Sequence, residues 1–255
     1  MNQKELEVIA NTCAHKIISS QVQKTPFKHI VADNFFSENL IQNCLKAFPN
    51  IDNEVWEHEN DIDIEIKSRS TWKNEFDIPD NIIDIVRILN CSLVLLAFSK
   101  VFDIPKLILD AYYTGGGLNV MQRGGLLDVH VDGNYHDATG LNRRLNAIVF
   151  LNLEWKEEWG GELGLYSNDG SKLIKKIDPI YNRLFVFETH DYSFHGIPEP
   201  LNFPHEKNRK SIILYYYTKD SRPRSQKITN DPHSALWVKR NLKDKNGNLI
   251  RKTLK

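Results

Sequence analysis

The chain has 255 residues, 41% hydrophobic and 26% charged, which excludes wholesale disorder and collagen-like repeats and allows a sizeable core. Lys plus Arg (33) balances Asp plus Glu (33), so net charge gives no case for nucleic acid or a membrane surface as partner. Cys13, Cys44 and Cys91 lie far apart without a CxxC pair, which argues against a disulfide framework or zinc ribbon and suits a reducing, cytoplasmic setting. The first ten residues lack the apolar run of a secretory signal, and Leu93–Phe98 is too short to cross a bilayer.

In chain order, Leu6, Ile9, Ala10, Cys13 and Ile17 keep helical spacing within residues 3–24, and Thr25-Pro26 ends that helix. Phe27–Ala32 reads as a strand. Ser37 is placed to cap a second helix over residues 37–48, which stops before Pro49. Residues 50–77 are strongly charged and read as loop with short strands. A third helix is expected over residues 80–101, where Ile82, Ile83, Val86, Leu89, Leu93 and Leu96 share a face.

After Pro105 the texture changes to short apolar runs between Gly, Asn and Asp turns: 107–113, 118–122, 128–132, 145–151, 161–166, 184–187 and 210–218. That spacing predicts a sandwich or barrel-like β core with the helices against one sheet. The chain thus reads as one domain: a helical support region (1–104), a β core (105–218) and a basic tail (219–255). From Lys219 to Lys255 eleven Lys or Arg face three Asp or Glu, and the expectation is a solvated tail on an acidic body. No GxGxxG or Walker loop opens any helix, and no Gly-x-Ser-x-Gly elbow or Cys–His pairing supports nucleophilic catalysis.

The chemistry concentrates in the β core. His130-Val131-Asp132 lies on a predicted strand, whose period of two puts both ligand-type side chains on one face. His195, beside Gly196, follows the strand 184–187. Two imidazoles and a carboxylate hold a divalent iron on one triangular face and leave positions open for a bidentate co-substrate and dioxygen. HxD alone is a weak pattern, and further features strengthen it. Arg209, Ser211, Ile213 and Tyr215 share one face of the last strand, and a buried guanidinium there calls for a carboxylate. Between these elements stand Arg143–Asn152, then Trp155 and Trp159-Gly160-Gly161-Glu162-Leu163.

This ordered set resembles the prolyl 4-hydroxylase-like branch of the iron(II)- and 2-oxoglutarate-dependent dioxygenases. The likeness covers roughly residues 26–218, from Pro26–Phe36 through HxD, the FLN and WGGEL segments and His195-Gly196 to Arg209-Lys210-Ser211. It implies a mainly β chain with flanking helices, a double-stranded β-helix (jelly roll, cupin-like) buttressed by the N-terminal helices. It also implies that His130, Asp132 and His195 hold Fe(II), and that Arg209 grips the distal carboxylate of 2-oxoglutarate with Ser211 assisting. Asn146 stands where many relatives carry a threonine that contacts this co-substrate, and Asn119, facing with Met121, is a further candidate. Ascorbate enters as an accessory reductant. Two departures bear on the substrate: many prolyl hydroxylases carry Lys at the Arg209 position and a tyrosine at the Met121 position.

The expected activity is hydroxylation with release of succinate and carbon dioxide, since related halogenases replace the Asp132 carboxylate with a small residue. The two departures tilt the expected substrate towards a small molecule (an amino acid, sugar or natural-product intermediate) over a peptidyl proline. Asp128, Asn134 and Tyr135 around HxD are the substrate-binding candidates. Two other readings stay open, a non-oxidative cupin-like metal protein and an interaction module driven by the basic tail. His136, His190 and His205 read as surface histidines, and Tyr215, Tyr216 and Tyr217 as core packing rather than substrate walls.

Overall fold

The computed structural model describes residues 1–238. Its elements are α1 (Gln3–Ser19), β1 (His29–Ala32), α2 (Glu38–Ala47), β2 (Trp56–Asp61), β3 (Glu65–Ser70), α3 (Ile82–Asn90) and α4 (Ser92–Phe102). There follow β4 (Ile108–Leu109), β5 (Gly117–Met121), β6 (Leu126–Val131), β7 (Asn142–Phe150), β8 (Leu163–Tyr166) and β9 (Leu173–Ile177). The chain closes with β10 (Arg183–Glu188), β11 (His195–Ile197), β12 (Arg209–Thr218) and β13 (Leu236–Trp237).

All pairings between these strands are antiparallel. The order β1-β10-β7-β12-β5 makes one layer and β6-β11-β8-β9 the other. β3 pairs with both β5 and β6, so the sheet curls on itself into a jelly roll. Alternation along β7 explains the two cores. Leu145, Ala147 and Val149 face the helices, while Ile148 and Phe150 point between the layers with Phe185, Phe187, Leu163 and Leu165.

α1 begins at a reciprocal capping box between Asn2 and Glu5 and buries Ala10, Cys13, Ala14 and Ile17 against α3 and α4. Ser37 occupies the cap position of α2 but makes no side-chain cap bond. The single helix expected over 80–101 is two helices, bent by 53° at an extended Cys91. Asn90 and Ser92, residue types of modest helix propensity, flank the break. No single described helix is long and apolar enough to cross a membrane.

The support region is not purely helical, because β1 edges one layer and the β2–β3 hairpin inserts into the sheet. β2 and β3 carry too few apolar residues to declare a buried face in the sequence. The tail expectation changes as well. Residues 219–238 pack onto the β10–β11 loop, where buried Asp191 accepts from Arg222 NH1 at 3.0 Å, His233 Nε2 at 3.1 Å and the Ile228 amide at 2.7 Å. Arg222 also donates to the Arg143 carbonyl at 2.7 Å. The rest of the basic tail, residues 239–255, lies outside the described residues.

His136 and His190 are not surface groups, whereas His205 is exposed. His136 is buried against Asp110 at 3.0 Å. Burial first, then the charge of Arg222, pushes His190 down to about 4. The unfolded chain therefore takes a proton near pH 6.5 that the folded chain refuses until about pH 4. Stability should fall as pH drops through that window, by up to about 3 kcal/mol from this one group. Urea midpoints of His190→Asn, which keeps an acceptor for the Tyr192 amide, should fall less steeply between pH 6.5 and 4 than those of the parent; parallel slopes would contradict this.

Candidate active site

β6 and β11 are neighbours, and His130 stands directly opposite His195 in their register. The side chains of His130, Asp132 and His195 offer three ligand atoms within 4.8 Å of one another. Asp132 Oδ1 is 3.6 Å from His130 Nε2, and its Oδ2 is 3.7 Å from His195 Nε2. Each ring turns its other nitrogen to a carbonyl two residues back: His130 Nδ1 to Asp128 O at 2.8 Å, and His195 Nδ1 to Ser193 O at 3.0 Å. Those carbonyls fix the tautomer with Nδ1–H donating, so both Nε2 lone pairs point at the shared space.

The electrostatics suit a cation. Burial and then the neighbouring His130 push His195 down to about 4, so it is neutral near pH 7. Burial works against the charge on Asp132, but His195, His130 and Arg143 outweigh it and hold the carboxyl well below its usual range. Asn146 Nδ2 donates to Asp132 Oδ2 at 2.7 Å, leaving Asn146 Oδ1 buried without a partner.

The triad opens on a cavity of about 690 Å³. Arg209 lies in its wall, directly across from Met121, with Ser211 across from Asn119 on the same pair of strands. Arg209 is buried, which pushes its guanidinium down to about 10. Its Nε donates to the Gly161 carbonyl at 2.8 Å, NH1 lies 4.0 Å from Met121 Sδ, and the group sits 5.2 Å from the Phe150 ring centroid. Among the described residues no carboxylate comes within ion-pairing distance of it, and Glu162 pairs with Lys176 instead. Ser211 Oγ and Asn119 Nδ2 are also buried without partners. Gly161 makes the approach possible: its φ is +89°, and a Cβ there would lie 3.1 Å from Arg209 Cδ.

This is a donor set in need of an anion. Each buried polar group left unpaired costs about 1–3 kcal/mol, more when charged. A dicarboxylate reaching from Arg209 and Ser211 to the triad would answer all of them. The residues present therefore fit both an iron(II) ion at the triad and 2-oxoglutarate beside it.

Two bulges redirect side chains that simple alternation misassigns. Between β6 and β11 the pairing moves from His130↔His195 to Leu127↔Ile197, so β6 holds an extra residue there. Leu127, not Asp128, consequently joins His130 on the cavity wall, and Asp128 is a buried residue whose carbonyl orients His130. Between β12 and β7 the pairing moves from Tyr216↔Leu145 to Tyr217↔Arg143. Arg143 thereby faces the cavity, 4.0 Å from the Tyr215 ring centroid and 3.8 Å from Asp132 Oδ1, while Arg144 turns to Glu188.

Of the remaining candidates, Tyr135 lines the cavity and Asn134 does not. Asn134 is spent on the C-terminal segment, accepting from the His233 amide and donating to the Asp231 carbonyl. Tyr215 is a cavity wall, whereas Tyr216 and Tyr217 are core. Sequence reasoning missed Arg143, Trp72 and Trp237, all of which line the cavity. Arg143 was legible only as one of an Arg-Arg pair, and the bulge chooses between the two.

A metal titration tests the geometry. Calorimetry with Mn(II) should show one site in the parent, weakened at least about a hundredfold in His130→Ala, Asp132→Ala and His195→Ala. His136→Ala, a buried histidine outside the triad, should stay within about twofold. Undiminished binding in any triad variant would remove that residue from the site.

Comparisons with known proteins agree with this geometry. Residues 116–217 match the model of the 2OG-Fe(II) oxygenase superfamily. Prolyl 3-hydroxylase OGFOD1 of Mus musculus is 34% identical over 86 residues, 32% of this chain but only 15% of that protein. The Xenopus laevis counterpart is 35% identical over 71 residues, 26% of this chain and 14% of its own length. In fold, a Pseudomonas putida prolyl-4-hydroxylase superposes with a TM-score of 0.55 at 14% identity, over 83% of this chain and all (100%) of that one. HygX of Streptomyces hygroscopicus, solved with nickel, 2-oxoglutarate and hygromycin B, gives 0.51 at 11% identity over 94% and 99% of the two chains. The matched segment, residues 116–217, carries the triad and Arg209, and over it this chain is similar to the 2OG-Fe(II) oxygenase superfamily.

Proposed function

We propose that this protein is an iron(II)- and 2-oxoglutarate-dependent hydroxylase whose substrate is a prolyl residue within a peptide. One observation carries the oxygenase reading: a triad of two histidines and an ionised aspartate shares a cavity with a buried arginine that has no carboxylate partner among the described residues. In the overall reaction a substrate C–H becomes C–OH, dioxygen supplies the oxygen atom, and 2-oxoglutarate is oxidised to succinate and carbon dioxide. Iron, when bound, supplies the activation of dioxygen.

The chain's own residues do the rest. His130, Asp132 and His195 would hold the metal, and Asn146 fixes the carboxylate that ligates it. Arg143 keeps that carboxylate ionised from the cavity side. Arg209 and Ser211, with Asn119 beside them, would take the distal carboxylate of 2-oxoglutarate through charge-assisted hydrogen bonds.

For the substrate, the cavity wall offers aromatic surfaces from Trp72, Tyr112, Tyr113 and Tyr215, which suit a flat, weakly polar ring. Charged groups of both signs, Glu57, Arg69, Lys73 and Asp137, also line the cavity, which suits the polar backbone of a peptide. The prolyl 3-hydroxylase likeness supports the same reading. A free small polar molecule is the second reading, favoured by a volume typical of small-ligand pockets and by the fold shared with HygX.

Succinate release measured across proline-containing peptides, free amino acids and aminoglycosides should respond to the peptides. A response to free small molecules alone would select the second reading, and no response to any member would count against the oxygenase itself. Arg209→Ala should raise the KM for 2-oxoglutarate at least about tenfold, the worth of a charge-assisted bond, with Arg209→Lys recovering most of it. An unchanged KM would take Arg209 out of the co-substrate site.

A further inference from the structure

The jelly roll closes at Thr218, yet the chain returns to the metal site. β13 adds to β6 with Trp237 opposite His130 and Leu236 opposite Val131. The Trp237 indole stacks on the His130 imidazole, with ring centroids 4.5 Å apart and planes 28° apart. His195 takes the other neighbouring position, also at 4.5 Å. Trp237 is only half-buried, and its open surface lines the cavity with His233, Ser234 and Ala235.

This return is anchored. Asp191, Arg222 and His233 are all buried and joined to one another through Asp191, and the Asn134 side chain clasps the backbone at Asp231 and His233. The fit is close at the residue after the metal-ligating carboxylate, where a Cβ on Gly133 would sit 3.1 Å from the His233 carbonyl oxygen. A loose surface tail has no need of a buried Asp–Arg–His cluster in front of it. Truncating one member of such a cluster leaves uncompensated buried charge.

We propose that Trp237 is a positioning residue of the active site: it holds the His130 ring from outside and presents its cavity side to the substrate. This rests on the hydroxylase reading above. The indole is a rigid, wide apolar surface with two side-chain torsions, suited to hold a ring-bearing substrate beside the metal without competing for it as a ligand. The C-terminal segment thus contributes its own part of the cavity wall.

The first test needs no turnover. Ni(II), added to the full-length protein, should quench Trp237 emission through the stacked His130. Trp237→Phe, which keeps an aromatic ring against His130, should lose that component of the quench while binding Ni(II) within about twofold of the parent by calorimetry. Equal quenching in parent and variant would place the indole away from the metal and overturn the proposal.

The second test uses acetyl-Gly-Pro-Gly-amide, or the best peptide of the panel, with iron(II) and 2-oxoglutarate. Trp237→Ala should raise the peptide KM at least about tenfold and lower hydroxylated product per succinate, with the KM for 2-oxoglutarate unchanged and partial rescue by Trp237→Phe. Equal losses for peptide and 2-oxoglutarate, or normal peptide KM and coupling in Trp237→Ala, would overturn it. A parent enzyme that releases no succinate with any substrate defeats the hydroxylase reading, and the nickel arm still decides where Trp237 stands.

Discussion

A guanidinium buried between two β layers, with no carboxylate among the described residues to meet it, sets the terms for this molecule. Taking such a charge out of water costs on the order of several kcal/mol, and the Gly161 carbonyl and the Phe150 ring offset only part of that. The surrounding choices follow from the need to hold Arg209 there. Gly161 admits the side chain, Ser211 and Asn119 stand beside it with unused hydrogen-bonding atoms, and β12 is paired on both sides, by β7 and β5. The missing charge has to arrive with a ligand. At the other end of the cavity the triad supplies the complementary need, since three ligand atoms, one of them on an ionised carboxylate, converge on a place for a cation.

Between these ends, β-bulges decide which side chains take part. An antiparallel ladder alternates strictly, so one additional residue exchanges the faces of everything beyond it. The additional residue in β6 retains His130 on the cavity side and removes Asp128. That in β7 selects Arg143 over Arg144, and so places a permanent cation against Asp132 and the Tyr215 ring. Asp132 thereby meets groups from three strands: His130 of β6, His195 of β11, and both Asn146 and Arg143 of β7.

The parts of the site that follow strict alternation were legible in the sequence. His130 with Asp132, and Arg209 with Ser211 and Tyr215, need only a period of two, and the structure brings both sets to one cavity. The helices were legible from their apolar stripes, except that Asn90-Cys91-Ser92 breaks one into two. What could not be read falls where local pattern and tertiary context diverge. Asp128 and Arg143 depend on bulges, which carry no residue signature here. Asn134 has the chemistry of a substrate contact but meets backbone from a segment almost a hundred residues on. The β2–β3 hairpin hides because its side chains are mostly polar, and Trp237 because it lies within a run whose composition reads as a basic tail.

The most direct test asks whether the cavity is a two-point holder for a dicarboxylate. The Mn(II)-loaded protein, kept free of oxygen, would be titrated calorimetrically with 2-oxoglutarate and with 2-oxobutyrate, which keeps the oxo-acid end but lacks the distal carboxylate. If Arg209 waits for that carboxylate, 2-oxoglutarate should bind at least about tenfold more tightly, the worth of a charge-assisted bond at a buried guanidinium. Equal affinities would mean that the arginine serves something else and that the cavity has been assigned to the wrong ligand.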